Sequence, residues 1–545
     1  MAGAGIDSFG NQVLWQIISG TGFLRPLNLI DAELNKNKDK LLQGLSHYKK
    51  YKTPSGETLR SRKLKKHHHE FIVKLAQFLG LDVLQTHDLF CSYLLTEYKS
   101  TQKELDHILN HERSAQVFIL KMQEFYHGER LYLLRCLRNI LLWLDGEHAY
   151  KEAFETFLIP LLDQHKLGNK LLSQFEELCN TPLPTKDLNG PLMGGTQVLL
   201  WAHQNLREQA EVLELLLIYY RNFDMDLPTL LDFCNRFKKH GFGWGQSYKH
   251  LVDGQMEKIV QRIGYLEVYI LLEGMDLLNA SDDNNLSEHV ILKDSSGMEK
   301  LEAVISQLGS EPIHGPILLG WSVLQYIRGD SEQNRSSSPN EAAAADSTLA
   351  EPGKVESLIR SAQKFGFQAL QLGVFEFLLE MLEAEPFCGK SDLASVAHYL
   401  VYSVLSALLS VYHEETLGNT EALYGIAYKL CKWDFIAEKN WMKTNEPEGL
   451  TILYESSKQW FPLDFACFVQ LNISLASASA YSAQKVKKEL LRLQFYTEAL
   501  DNNRAQDLQT TAEQGVFVLK RDKRPYQNSF FKIEHKTRGT VIQPT

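Results

Sequence analysis

Three stretches of this chain hold residue types at spacings that could support chemistry. Ala384–Ser391, AEPFCGKS, ends in Gly389-Lys390-Ser391 and fits a relaxed phosphate-loop pattern. Such a loop wraps backbone amides around phosphate oxygens beside its lysine, and it needs a glycine-rich turn between a strand and a helix. Here Ala384 stands where the leading glycine belongs, Glu385 would repel phosphate, and Pro386 has no amide to donate. The preceding Phe375–Leu382 reads as helix, so the stretch predicts a helix–helix turn with Ser391 capping the next helix. Gly241, Gly243 and Gly245 in KKHGFGWGQ lack both a preceding strand and the spacing of a dinucleotide fingerprint. They predict a tight interhelical turn that exposes Trp244, a side chain suited to meeting a partner. The third stretch, Lys49–Lys66, carries eight Lys or Arg against one acid and runs into His67-His68-His69. It has the charge of a nucleic-acid patch, a nuclear-import signal or a membrane contact. Thr53-Pro54-Ser55-Gly56 within it favours a solvated loop. The histidines could bind a metal adventitiously, but no acid or cysteine stands beside them at ligand spacing. No nucleophile elbow and no HExxH is found. The expectation is no enzyme: no catalytic, cofactor-binding or metal residues, no cofactor and no small-molecule substrate.

The elements that would position these residues are almost all helical. The most informative is His250–Asp276, HLVDGQMEKIVQRIGYLEVYILLEGMD. Asp253 can cap its start by accepting from free backbone amides. Met256, Ile259, Val260 and Ile263 then share one face, with Glu257, Lys258, Gln261 and Arg262 opposite. Beyond Gly264 only Glu267 interrupts an apolar run to Leu272, so the far end must be covered on both sides and Glu267 must find a partner or the surface. Ile30–Tyr48 sets Ile30, Leu34, Leu41, Leu42 and Leu45 on one stripe. Thr101 and Glu104 have the spacing of a capping box opening a helix through Phe125, and Ser296 with Glu299 has the same spacing. Tyr132–Leu144, Val198–Tyr220, Pro312–Ile327, Val355–Leu382, Leu423–Trp433, Leu450–Phe461, Leu463–Ala480 and Lys485–Leu500 continue the series. Long helices with short breaks and hardly any period-2 segments predict an all-α fold, an irregular superhelical α-solenoid of the HEAT or armadillo kind. Roughly 20 helices are too many for one closed core, which stops growing near 250–300 residues.

Composition narrows the function classes. The 545 residues are 44% hydrophobic and 23% charged, ordinary for a folded chain with ample core material. A net charge of −10 argues against bulk nucleic-acid affinity, and no direct nucleic-acid partner is expected. Seven cysteines, none in CxxC spacing, support neither a disulfide framework nor a zinc module and fit a reducing compartment. The start, MAGAGIDSFGNQVLW, lacks the features of a signal peptide. Leu393–Tyr412 carries no formal charge over a length that could span a bilayer. Its four serines, His398 and three tyrosines favour a buried central helix, so no transmembrane span is expected.

The chain divides by composition into residues 1–327 as N-terminal solenoid, 328–354 as linker, 355–510 as continuing solenoid and 511–545 as a β-like segment. Arg328–Lys354 is rich in Ser, Pro, Ala and acids and has no aromatics, which predicts a disordered insertion. Gly515–Arg521, Ser529–Glu534 and Arg538–Ile542 read as short strands. A sheet that stops there would leave open edges, so the expectation is an incomplete β insertion and an N-terminal part of something longer.

Several stretches together resemble the nucleoporin 188 family of large inner-ring scaffold nucleoporins. They are LWQIISG at Leu14–Gly20, IDAELNKNKDKLLQGLSHYK at Ile30–Lys49, LGLD at Leu79–Asp82, CSYL at Cys91–Leu94 and QFEELCNT at Gln174–Thr181. HLVD, QRIGY and EGMD within His250–Asp276 follow, then HEETLGN at His413–Asn419, EPEGLTILYESSKQWFP at Glu446–Pro462 and the final RGTVI. The resemblance covers the chain apart from the linker; the nucleoporin 205 family shares the architecture and is the nearest relative. It implies a non-enzymatic scaffold of the nuclear pore complex at the nuclear envelope, supporting pore assembly and nucleocytoplasmic transport of protein and mRNA. The partners it implies are other inner-ring nucleoporins, nucleoporin 93 above all. The family places that docking surface toward its C-terminal part, beyond this chain, so no partner-binding residue is carried over. Phe-Gly pairs occur only at Phe9-Gly10, Phe242-Gly243 and Phe365-Gly366, which excludes a disordered Phe-Gly barrier protein. The alternative is a soluble importin-β-like transport receptor, also an acidic helical solenoid, against which the lack of a regular repeat weighs.

Overall fold

Helix starts follow local chemistry at most of the predicted places. The computed structural model describes all residues except 1–9, 22, 53–63, 144–148, 163–165, 283–288, 338–351, 443–446, 462–464, 494–507, 511–515, 521–535 and 541–545. The chain opens with α1 (Asn11–Ile18), α2 (Leu27–Lys36), α3 (Lys38–Gln43), α4 (Lys66–Leu79), α5 (Val83–Thr96) and α6 (Gln102–Asn110). Next come α7 (Glu112–Leu142), α8 (Lys151–Leu162), α9 (Lys166–Asn180), α10 (Lys186–Asn189), α11 (Gly195–Asn222) and α12 (Leu227–His240). The series continues with α13 (Gly254–Met275), α14 (Leu277–Ala280), α15 (Ser295–Ile305), α16 (Gly315–Ser337), α17 (Pro352–Gln371), α18 (Val374–Glu383) and α19 (Asp392–Val411). It closes with α20 (Thr420–Leu430), α21 (Asp434–Asn440), α22 (Leu450–Trp460), α23 (Phe465–Ala478) and α24 (Ala480–Arg492).

Two compact units divide this series, Met1–Leu423 and Tyr424–Thr545, with the boundary inside α20. In the first unit the long helices pack in succession: α7 against α11, α11 against α13, α13 against α16 and α16 against α19. Shorter helices fill the flanks, α9 on α11, α12 on α13 and α15, and α4 on α5 and α6. This neighbour-on-neighbour stacking is an irregular α-solenoid. Covered on both sides, α13 buries every residue from Gly264 to Leu272, as its apolar second half required. Burying each large apolar side chain there contributes about 1.5–3 kcal/mol relative to exposure.

In the second unit α22 packs on α23 and α23 on α24. Three short antiparallel strands follow, β1 (Leu508–Thr510), β2 (Val516–Lys520) and β3 (Lys536–Thr540), in the order β1-β2-β3. Leu508 stands opposite Leu519, and Val516 opposite Thr540. Two of the three predicted strand stretches are therefore strands, while Ser529–Glu534 lies outside the described residues.

Several boundaries differ from the sequence reading. Thr101 and Glu104 do form a capping box, but its helix ends at Asn110. His111, in extended conformation, separates it from α7, which then runs unbroken through Leu142. The start of α15 is capped by Asp294, whose carboxylate accepts from Gly297 N, and not by Ser296. The Val355–Leu382 segment is broken at Gly373, which sits at φ +67°. Residues 328–337, read as linker, continue α16, where Arg328 donates to Ser295 Oγ. Residues 352–354 open α17, and 338–351 lie outside the described residues. By length and composition α19 is apolar enough to cross a membrane, yet two thirds of its apolar window is buried, and it packs on α13, α14, α16 and α18.

Candidate functional site

The relaxed phosphate-loop stretch is a turn between α18 and α19. Ser391 caps α19 by accepting from Ala394 N at 3.1 Å, as its position predicted. Phe387 anchors the turn, fully buried with its ring 5.1 Å from that of Tyr269 on α13. The backbone between α18 and α19 is thus held by packing and capping, with helix rather than strand on its N-terminal side. The glycine-rich turn is equally structural. A Cβ on Gly243 would lie 2.6 Å from Val260 O, and one on Gly264 would lie 2.6 Å from Phe242 O. Two bare α-carbons facing each other's backbone let the turn lie directly on α13. Trp244 is 48% exposed, as expected.

Beneath the turn lies a buried polar group. His240 Nδ1 is 2.5 Å from Glu267 Oε1, and the Gln246 amide lies 2.9 Å from His240 Nε2. Burial disfavours charge on the imidazole, but Glu267 outweighs it and lifts His240 to about 10. Gln246 and Gln209 exchange two amide hydrogen bonds, and Tyr248 Oη donates to Asn205 Oδ1. Glu267 has found its partner inside the fold.

One turn further along the stack, three helices share a charged layer that the sequence reading missed. Arg130 on α7 grips Glu208 on α11 with two bonds, Nε to Oε1 at 2.7 Å and Nη2 to Oε2 at 2.6 Å. Its guanidinium also lies over the rings of Tyr48 and Tyr126. Arg135 and Arg138 both pair with Glu211, and Glu214 pairs with Arg138 and with Arg262 of α13. Burial opposes the charge on Glu208, yet Arg130 and the Gln204 amide hold its carboxyl below the ordinary value. Burial, with neighbouring arginines adding to it, pulls Arg262 down to about 10. The sequence signal was the acidic row Glu208, Glu211, Glu214 at every third position, running into the apolar second half of α11. All of these charges are spent on one another, an arrangement that fixes helix register and leaves little to recognise a ligand.

The histidine run behaves unlike its sequence reading. His67 Nε2 and His68 Nε2 lie 3.0 and 2.9 Å from Oδ1 of Asp106, and Lys65 Nζ lies 2.6 Å from Oδ2. The acidic partner missing nearby in sequence is supplied by α6. Asp106 is held well below the usual carboxylate range, first by the Lys65 hydrogen bond and then by the two imidazoles. The rest of the basic segment, 53–63, lies outside the described residues. Among the described residues no two cysteines are joined in a disulfide, and burial pushes Cys234 and Cys431 up to about 12.

Comparison with known proteins matches residues 29–422 to the family described as nucleoporin Nup188, N-terminal. Nucleoporin NUP188 of Homo sapiens is 33% identical over 493 residues, covering 90% of this chain and 26% of that protein. The Mus musculus protein of the same name is 34% identical over the same coverage. Nucleoporin Nup188 of Drosophila melanogaster is 24% identical over 536 residues, 97% of this chain and 27% of that protein. The chain therefore spans about a quarter of the length of the curated relatives it matches.

Proposed function

The chain belongs to the nucleoporin Nup188 family, and from that premise we propose that it is a structural scaffold of the inner ring of the nuclear pore complex. In this reading it resides at the nuclear envelope, supports pore assembly and nucleocytoplasmic transport, and performs no catalysis. Its partners are other inner-ring nucleoporins, nucleoporin 93 among them. The observation that carries the reading is the family match over 29–422, which nearly coincides with the first compact unit. The chemistry agrees with it. Buried charges are paired between helices rather than gathered in a cleft, so what the chain offers is shape and a fixed register of helices.

The test is to express the tagged chain in cells and follow both its position and its company. A scaffold gives a nuclear-rim pattern and co-purifies with inner-ring nucleoporins. A diffuse distribution together with capture by Ran·GTP, lost with Ran·GDP, would overturn the reading in favour of an importin-β-like receptor.

A further inference from the structure

We propose that His67, His68 and Asp106 form a zinc site that ties the start of α4 to α6. The three side chains are the group of His, Cys, Asp and Glu among the described residues whose ligand atoms converge, all within 4.8 Å of one another. Two imidazole nitrogens and one carboxylate oxygen are a donor set that zinc accepts, leaving a fourth tetrahedral position to water. Tetrahedral ligands at roughly 2.0–2.1 Å from zinc stand about 3.3 Å apart. The observed 3.0 and 2.9 Å from each Nε2 to Oδ1 need only a small opening to reach that spacing.

The donors are also held in place. The His67 and His68 rings lie nearly perpendicular, at 84°, with centroids 4.5 Å apart. His68 lies edge-on to Phe90, which in turn contacts Phe71 and Phe118. Asp106 stands on a short helix fixed by the Thr101–Glu104 capping box. Adjacent histidines on a mobile tail would have none of these supports. Binding requires each imidazole to carry its proton on Nδ1 and offer the Nε2 lone pair.

Lys65 makes the proposal distinctive. Its ammonium already sits on the second oxygen of Asp106, and a dication at the first oxygen would repel it. The lysine side chain is 54% exposed, so it can swing into solvent when the metal arrives. It competes for the carboxylate without blocking the site.

The experiment is metal titration of the whole chain, with Zn²⁺ binding read in competition with a chromophoric chelator and Co²⁺ binding read by visible absorption. A stoichiometric site with the intense Co²⁺ bands of tetrahedral coordination is expected. Asp106→Asn and His67→Ala should each weaken Zn²⁺ binding by about tenfold or more. Lys65→Ala removes no ligand and should tighten binding by about three- to tenfold, because it removes one positive charge beside a dication. His69→Ala should leave affinity unchanged. Adventitious chelation by the histidine run would instead make His69→Ala as damaging as His67→Ala and leave Asp106→Asn without effect, and either result overturns the proposal. So does Lys65→Ala binding no tighter than the unaltered chain. Circular dichroism of each metal-free variant separates lost ligands from lost fold.

Discussion

The helices α11 and α13 of the first unit and α22–α24 of the second invert each other's use of polarity. In the first, Glu208, Glu214 and Glu267 are buried, each paired with an arginine or histidine from another helix. In the second, the buried polar residues are small and neutral. Asn472 Nδ2 donates to Phe468 O, Ser457 Oγ donates to Tyr454 O, and Ser482 Oγ accepts from Trp441 Nε1. Large apolar side chains there face outward, with Ile473 62% and Leu491 74% exposed. The difference follows from coverage. A helix enclosed on all sides cannot send a carboxylate to water, so it must carry a partner for every charge. A helix covered on one side can send its charges to water and needs only small neutral polar groups inside, and it leaves apolar surface open to whatever packs there.

The hardest way to break this contrast is to remove half of a buried pair. Glu208→Ala would leave the Arg130 guanidinium without its two bonds in the α7–α11 interface. The expected cost is about 3–5 kcal/mol, the penalty of an uncompensated buried charge. Thermal unfolding should show a large fall in the midpoint of the first unit. Replacing both partners, Arg130→Met with Glu208→Leu, should recover most of the loss, since an apolar pair of similar volume avoids the desolvation penalty. A double variant as unstable as the single one would mean the layer is held by directed bonds, and the enclosure argument would fail.

A second test uses a carboxylate on α13 that is poorly paired. Glu273 on α13 lies 3.8 Å from Arg221, whose guanidinium stacks over Tyr399, and its Oε2 has no hydrogen-bond partner. Burial lifts its carboxyl from 4.5 to about 7, against the smaller pull of Arg221. The folded state therefore holds this proton more tightly than the unfolded state does. Stability from this group is flat below about 4.5, falls as pH rises toward 7, and then stays low. Each pKa unit is worth about 1.4 kcal/mol, so the penalty above pH 7 is ~3.5 kcal/mol at most, and less where side-chain relaxation admits water. Glu273→Gln should accordingly raise the unfolding midpoint at pH 8 and change it little at pH 5. An equal effect at both values would show that Glu273 titrates normally and that the enclosed part of α13 tolerates a poorly paired charge.

How much of this was legible in the sequence depended on the range of the interaction. Caps are local, and Asp253, Thr101 and Ser391 were read correctly from their position before an apolar run. Where several candidates stood together, as in Asp294-Ser295-Ser296, spacing alone chose Ser296, whereas Asp294 reaches Gly297 N from two residues earlier. The all-helical stack was legible because α13 is apolar all round past Gly264, which only a covered helix can be. Glu267 was flagged as needing a partner, but His240 is 27 residues away, and only packing of α12 on α13 identifies it. Asp106 is 39 residues from His67, so the cluster of α4 and α6 left no mark at ligand spacing. The end of α16 was misjudged because composition registers polarity, whereas Arg328 is fixed by Ser295, a residue 33 positions earlier. Nor does composition change at the unit boundary inside α20.

The smallest expected effect comes from the second unit and is the sharpest check on the other half of the comparison. Ile473 lies on the open side of α23, while Leu475, two residues on, is fully buried. Ile473→Ser exchanges exposed apolar surface for a hydroxyl in water and should change stability by no more than about 0.5 kcal/mol. Leu475→Ala removes core volume from the same helix and should cost about 2–5 kcal/mol. Chemical unfolding of the two variants gives the ratio directly, with helix propensity nearly cancelling between them. If Ile473→Ser were as costly as Leu475→Ala, the outward face of α23 would already be covered within the chain, and the two units would follow the same rule. If it is silent while lowering self-association at high concentration, the open apolar face is a surface property of the second unit, as the coverage argument requires.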